Sequence, residues 1–416
     1  DFLSEKSRGK VLGFDGSVVP ADFGNSFSCE TRYDRDLVGG IWVDRPPQKF
    51  TDIFDLEEKY TGESSSGKIG RIRDKIRDIL GKDSDYLYII NSLDDIAWIF
   101  NIRADDLPET PAVFAYAAIY SDRAVLYTGE GAADGSVTAY LKSQGVENAP
   151  YSPECLCLKV PENCKILCDF ARTSRFIYDH YRNAHLTVRH IVNPSQHMKG
   201  VKNEVELTCA CNALLRDSAY VTMFMRWLKE KAASAGPGSP LYNDDGSRMS
   251  ELSVDEKLDE FRTKDSLYLG KSFATIAAYK ANGAMMHYQA KPHSFSFLSA
   301  EGMLLIDSGV QFSDGTTDIT RTFILGPVTK EEKKAFTLTA VSMLRLMNAK
   351  FISGCTGENL DIMAREPMWS EGWDYKCGTG HGVGHVLNVH EGPHSIRWKI
   401  PDSGHSAVLE EGMIVT

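Results

Sequence analysis

Apolar and polar positions change rhythm several times along the chain, and each change predicts an element. Ile69, Ile72, Ile76 and the pair Ile79/Leu80 share one face at helical spacing, predicting an amphipathic helix over residues 68–80. Short apolar runs at 86–91, 112–120 and 124–127 read as strands, with Leu93-Asp94-Asp95-Ile96-Ala97-Trp98-Ile99-Phe100 between the first two. Helices alternating with strands argue for an α/β or α+β domain, which ends near Asn193-Pro194. From 202 to 231, Val205, Leu214/Leu215, Val221 and Leu228 keep near-helical spacing, with no proline until Pro237, predicting a long helix. Two capping boxes, Ser253-Val254-Asp255-Glu256 and Thr329-Lys330-Glu331-Glu332, predict further helix starts, with strand-rich sequence between them. At the front, Gly9, Gly13 and Gly16 break any helix around Val11, so residues 1–45 read as short strands and turns. Arg45-Pro46-Pro47 marks a break, and Gly62-Glu63-Ser64-Ser65-Ser66-Gly67 reads as a polar linker.

Length and composition narrow the class. The 416 residues allow two or three domains at ~100–200 residues each. Apolar residues at 42% and charged residues at 25% exclude a disordered or fibrous chain. The longest apolar run, 112–120, is about half of a membrane span, so no transmembrane helix is expected. A net charge of −11 disfavours nucleic acid and anionic lipid as partners and suits small polar substrates. The nine cysteines, with close pairs Cys155/Cys157 and Cys209/Cys211, match no zinc ribbon or finger and read as reduced thiols of a cytoplasmic protein. With neither an initiator Met nor a signal-peptide pattern, the chain reads as starting inside a longer parent.

Candidate chemistry gathers in the second half. Five of the eleven histidines fall between 381 and 405: His381, His385, His390, His394 and His405. Any one of them alone could be a solvated loop residue. Glycines on both sides of His381, however, permit close backbone approach and leave its imidazole free to point at a metal or substrate. Asp307 ends the apolar run Met303-Leu304-Leu305-Ile306, and Asp318 sits in the β-branched run 316–322. A carboxylate in either place is costly unless paired or metal-bound. The plain alternatives are a turn cap for Asp307 and an Arg321 partner for Asp318. A hairpin turn centred on Asp314/Gly315 would set Asp318 opposite Gln311, ~13 Å along the ladder from Asp307 and too far to share an ion. A connection centred near Phe312/Ser313 would set the aspartates opposite each other, and a shared metal predicts that second register.

Taken together, four motifs resemble the Xaa-Pro aminopeptidase (aminopeptidase P) branch of the creatinase, prolidase and methionine aminopeptidase family. They are Asn282-Gly283-Ala284-Met285-Met286-His287-Tyr288, Ile306-Asp307-Ser308-Gly309, Asp314-Gly315-Thr316-Thr317-Asp318-Ile319-Thr320-Arg321-Thr322, and the run from Gly378-Thr379-Gly380-His381 to His390-Glu391-Gly392-Pro393. Upstream, Ile41-Trp42-Val43-Asp44-Arg45-Pro46 and residues 93–103 resemble the three-domain form of the enzyme. The resemblance implies an α+β protein truncated at both ends: 1–46 the remnant of a first creatinase-like domain, 47–194 a second, and 195–416 a pita-bread catalytic domain lacking its last part.

The same resemblance implies the site. Asp307 and Asp318 would be metal ligands, with Asp318 bridging two divalent ions, and His381 the histidine ligand. His287 and His390 would flank the ions, stabilise the tetrahedral intermediate and help proton transfer, while His385, His394 and His405 remain loop residues. Oxygen-rich ligation with one imidazole suits Mn2+, with Zn2+ or Co2+ as alternatives. The substrates would be peptides with proline at the second position, hydrolysed by metal-bound hydroxide, and the family suggests a homodimer. Two further glutamate ligands of the family lie beyond Thr416, and Glu391, Glu410 and Glu411 are not substitutes on motif grounds. The chain as given therefore reads as an inactive fragment of the enzyme. Its rivals are a prolidase acting on Xaa-Pro dipeptides and a non-catalytic pita-bread protein that binds a peptide or partner.

Overall fold

Helix α1 (Ser65–Leu80) begins where Ser64 Oγ accepts the backbone N–H of Gly67 at 3.1 Å. The serine run is thus a helix cap rather than a linker, because a serine hydroxyl can satisfy an amide that the first turn leaves free. Ile69, Ile72 and Ile76 are buried, as their spacing predicts. Lys68 is buried beside them, its ammonium donating to the Trp98 carbonyl at 3.0 Å and to Asn101 Oδ1 at 2.6 Å.

The computed structural model describes residues 2–81, 84–152, 154–400 and 407–416. The chain divides into two units, Asp1–Lys199 and Gly200–Thr416. In the first, β1 (Tyr86–Ile90), β2 (Ala115–Tyr120), β3 (Ala124–Thr128), β4 (Val146–Pro150), β5 (Lys165–Cys168) and β6 (Thr187–His190) form a sheet of order β6-β5-β1-β2-β3-β4. The β1-β2-β3 pairings are antiparallel and the others parallel. Leu87, Ile89, Ala118, Val125 and Ile166 form its core together with Tyr181 of the helix Arg175–Asn183. The segment after β1 is a helix, Leu93–Ile99. Residues 1–45 hold the short strands Leu12–Gly13 and Thr31–Arg32, but also two short helices, Phe2–Lys6 and Ala21–Asn25, on either side of the glycines.

The second unit starts with α2 (Glu204–Ser234), capped reciprocally by Asn203 and Glu206. Helix α3 (Glu251–Arg262) begins three residues before the expected place: Ser250 is the cap and Ser253 its partner in the first turn. Helix α4 (Lys330–Met347) starts at the Thr329/Glu332 box as predicted. Between them lie β7 (Tyr268–Lys271), β8 (Ile276–Tyr279), β9 (Met303–Ser308), β10 (Val310–Phe312), β11 (Gly315–Thr316) and β12 (Ile319–Ile324). These make two antiparallel sheets, β7-β10-β11 and β8-β9-β12. Phe224 and Leu228 of α2, Val254 and Leu258 of α3, and Leu304, Ile306 and Phe323 of the strands form one core. Helix α5 (Gly357–Trp369) precedes the last pair of strands, β13 (Gly380–Gly382) and β14 (Glu391–Ile396), also antiparallel. Among the described residues no helix is long and apolar enough to cross a membrane.

Candidate metal centre

The two aspartates sit on one hairpin whose register is neither of those anticipated. Asp307 pairs with Thr320, Ser308 with Ile319, Gln311 with Thr316 and Phe312 with Gly315. The turn is therefore centred between Ser313 and Asp314, one step from each expected register. Asp318 lies two residues from Asp307's partner, so the side chains share a face as diagonal neighbours, a relation with Cα atoms ~7–8 Å apart. Gly309 makes this crossing possible, since a Cβ there would lie 2.1 Å from the Thr317 carbonyl oxygen. Thr320 donates to Asp307 Oδ1 at 2.7 Å. Burial nonetheless raises the Asp307 carboxyl above its ordinary range, opposed by that Thr320 bond and reinforced by the charge of Asp318.

The hairpin is held from beneath. Asp217 lies on the buried stripe of α2, between Ala213 and Val221, and is wholly buried. It receives Arg262 in two bonds, at 2.7 and 3.0 Å, and the hydroxyl of Thr317 at 2.6 Å. Thr317 Oγ1 in turn accepts the N–H of Val310 at 2.9 Å, so the residue preceding Asp318 is tied to a buried ion pair.

Four histidines, His381, His385, His390 and His394, come from β13, β14 and the loop between them. His381 Nε2 lies 3.3 Å from Asp318 Oδ2, and its Nδ1 lies 2.9 Å from the Gly382 carbonyl. A carbonyl only accepts, so Nδ1 carries the hydrogen, and Nε2 of a neutral ring turns its lone pair toward the carboxylate. Two acceptors face each other unless a proton or a metal cation lies between them. Burial lowers the His381 pKa, but the Asp318 contact and the Gly382 carbonyl outweigh it and leave the pKa raised. Gly382 has no room for a side chain: a Cβ would stand 2.2 Å from the Glu391 carbonyl oxygen.

His390 packs edge-on to His381, ring centroids 4.2 Å apart, and its pKa is lowered by burial and then by His381. His287 is exposed, follows the turn Lys280–Ala284 and has φ +56°. It is within electrostatic reach of both Asp307 and His390. His385 lies in the loop as expected, though buried. His394 is not a loop residue: it is buried in β14, with Nε2 on the Ile414 carbonyl at 2.8 Å, because alternation along the strand turns it inward. His405 lies outside the described residues.

The histidine loop is tied to the aspartate hairpin at Leu387. Gln311 Nε2 donates to the Leu387 carbonyl at 2.8 Å, and the Leu387 N–H donates to Thr316 Oγ1 at 3.3 Å. Lys202 forms a buried pair with Glu391, the residue after His390. Sequence reasoning missed Asp217, Arg262, Gln311, Lys202 and Glu251, the last a wholly buried acid on α3. Only Asp217 carried a signal, as an acid on the apolar stripe of a predicted helix.

As a donor set, two carboxylates and one imidazole with its outer nitrogen on a backbone carbonyl suit a divalent cation. They do not enclose one: among the described residues no three His, Cys, Asp or Glu side chains stand close enough together to hold an ion. Most of the coordination shell is left to water, substrate or further side chains.

Such a centre on such a fold defines a class. The sequence profile of metallopeptidase family M24 matches residues 209–416, half of the chain, and that of the creatinase/prolidase N-terminal domain matches 44–206. The chain belongs to metallopeptidase family M24, with a creatinase-type unit ahead of a pita-bread unit. A probable Xaa-Pro aminopeptidase P of Coprinopsis cinerea is 34% identical over 400 residues, covering 92% of this chain and 61% of the relative. One from Laccaria bicolor is 32% identical, covering 97% and 62%. The chain thus spans about three fifths of the length of these relatives. An X-prolyl aminopeptidase structure from Caenorhabditis elegans, described as a cytosolic enzyme with a di-nuclear active site, superposes with TM-score 0.87 at 28% identity. It covers all of this chain and 67% of that one. An Xaa-Pro dipeptidase structure from Bacillus anthracis, at TM-score 0.63 and 19% identity over 85% of this chain and 89% of that one, shares the fold.

Proposed function

We propose that the protein to which this chain belongs removes the N-terminal residue from peptides with proline in second position. The observation that carries the reading is His381 Nε2 turned at 3.3 Å toward Asp318, with Nδ1 committed to Gly382, an arrangement that a metal cation or a proton completes. Asp307, Asp318 and His381 would supply part of the ligand set of a divalent metal centre, the other donors coming from water, substrate or further side chains. When bound, divalent ions acidify a water and polarise the scissile carbonyl. His287, exposed beside Asp307, offers an N–H to the oxygen that becomes negative as the carbonyl turns tetrahedral. His390, neutral at neutral pH because its pKa is lowered, serves as the proton relay to the proline nitrogen, which cannot leave unprotonated.

Mn2+ is the proposed metal, since oxygen donors outnumber the single imidazole. A homodimer and a cytoplasmic location complete the proposal, the latter supported by nine unbonded cysteines and the cytosolic C. elegans relative. Of a division into 1–46, 47–194 and 195–416, the first boundary is supported by the N-terminal profile, which starts at residue 44.

Cleavage of Gly-Pro and Gly-Pro-Pro in the presence of Mn(II), with Asp318→Asn as control, tests the reading. Release of glycine from the tripeptide, lost in Asp318→Asn, is the expected result. Turnover confined to Gly-Pro would make the protein a prolidase. Retention of the tripeptide without turnover, unchanged by chelator, would favour a non-catalytic binding protein.

A further inference from the structure

Glu251 is the first residue of α3 and is wholly buried. Its Oε1 accepts the Tyr279 N–H at 2.7 Å and Asn282 Nδ2 at 2.9 Å. Its Oε2 accepts the Tyr288 hydroxyl at 2.8 Å and the Ser296 N–H at 2.7 Å. Four groups surround the two oxygens in their lone-pair directions, and the N-terminus of α3 favours a carboxylate there. Burial, then Glu251, push the Tyr288 hydroxyl up to about 12, so it remains a donor across the physiological range.

The four donors bracket one residue. Tyr279 and Asn282 precede His287, and Tyr288 and Ser296 follow it. Asn282 Nδ2 cross-braces the group, at 3.1 Å from the Tyr288 hydroxyl and 3.0 Å from Ser296 Oγ. The Glu251 N–H closes the frame on the Ser296 carbonyl at 3.1 Å. At the centre His287 holds φ +56°, a left-handed backbone that a non-glycine residue keeps only where its surroundings over-determine it. A buried carboxylate is a costly way to brace a loop that apolar packing could also brace. What it adds is direction, since each bond fixes an angle as well as a distance.

We propose that Glu251 is a positioning residue for His287, fixing the strained segment 279–296 so that an otherwise exposed imidazole keeps one place beside the metal centre. The inference rests on the role given to His287 above. Glu251→Gln keeps the size of the side chain; its amide group can meet the Tyr288 hydroxyl, which can accept, but not the Ser296 N–H. Tyr288→Phe removes one donor of the four and is the milder change.

Histidine-selective NMR of the protein reads the positioning. We expect the His287 imidazole signal to shift or broaden in both variants, more in Glu251→Gln, while His180 and His394 stay in place. With the protein reconstituted with Mn(II), kcat on Gly-Pro-Pro should fall ~10²-fold in Glu251→Gln with KM little changed, the size of effect a misplaced catalytic group produces. An unmoved His287 signal in a Glu251→Gln protein that still melts cooperatively overturns the positioning role, whatever the turnover. If Glu251→Gln fails to fold, Tyr288→Phe carries both readouts on its own. His287→Ala separates the two readings: full turnover in that variant overturns the catalytic role of His287 and leaves the NMR result standing.

Discussion

Asp318 Oδ2 and His381 Nε2 face each other at 3.3 Å, one on the aspartate hairpin and the other on β13. Because the Gly382 carbonyl takes the only hydrogen of a neutral His381 ring, the contact is stable with a cation or a proton between the two atoms. Asp318→Asn removes the charge that holds either. Mn(II) affinity measured by isothermal titration calorimetry should drop by at least ~10–100-fold, the loss already seen when only an outer partner of a metal site is changed. Unchanged affinity would place the metal elsewhere.

Asp217→Ala leaves Arg262 as an uncompensated buried cation and frees the Thr317 hydroxyl. Removing one partner of a buried ion pair costs ~3–5 kcal/mol. The urea midpoint should fall accordingly, with little change in the slope of the transition. A loss below ~1 kcal/mol would show that the pair is screened by water.

Gln311→Met keeps volume but withdraws the donor from the Leu387 carbonyl, a loss of ~1–3 kcal/mol for a buried acceptor left short of partners. The same change loosens the tie between the hairpin and the histidine loop, so Mn(II) affinity should fall along with stability. A variant that loses stability but binds Mn(II) like wild type would show that the tie serves folding alone.

His394 gives a pH dependence with a definite sign. Burial lowers its pKa below the ordinary imidazole value of 6.5, so below that pH the unfolded chain takes up a proton that the folded protein resists. The contribution of His394 is full above pH 6.5 and lost as pH falls through 6.5 toward the lower folded value. The slope is at most ~1.4 kcal/mol per pH unit. His394→Gln should flatten the stability profile between pH 7 and 5. An equally steep profile in the variant would assign the slope to other groups.

Elements with strong local signals were legible in the sequence. Helix α4 begins at the Thr329/Glu332 box, and α2 covers the stretch that its periodicity marked. Helix α3 was misplaced because Ser250 and Ser253 both suit a cap. Which serine closes the turn depended on Ser250 lying in a bridge with Phe297, a partner far along the chain. That shift also hid Glu251.

The kinds of group in the site follow from residues close in sequence. An aspartate ending an apolar run and a histidine between glycines are costly unless used, and the motifs that contain them mark metallopeptidase family M24 without coordinates. How those groups meet does not follow. The register of the 307–318 hairpin depends on where its turn closes, and a one-residue change there moves Asp318 along the ladder and across the sheet. That choice was made by Gly309 passing against Thr317, and by Asp217 of α2 accepting the Thr317 hydroxyl while Arg262 of α3 holds Asp217. Buried charges find partners by distance in space, and chain order carries almost no record of that distance.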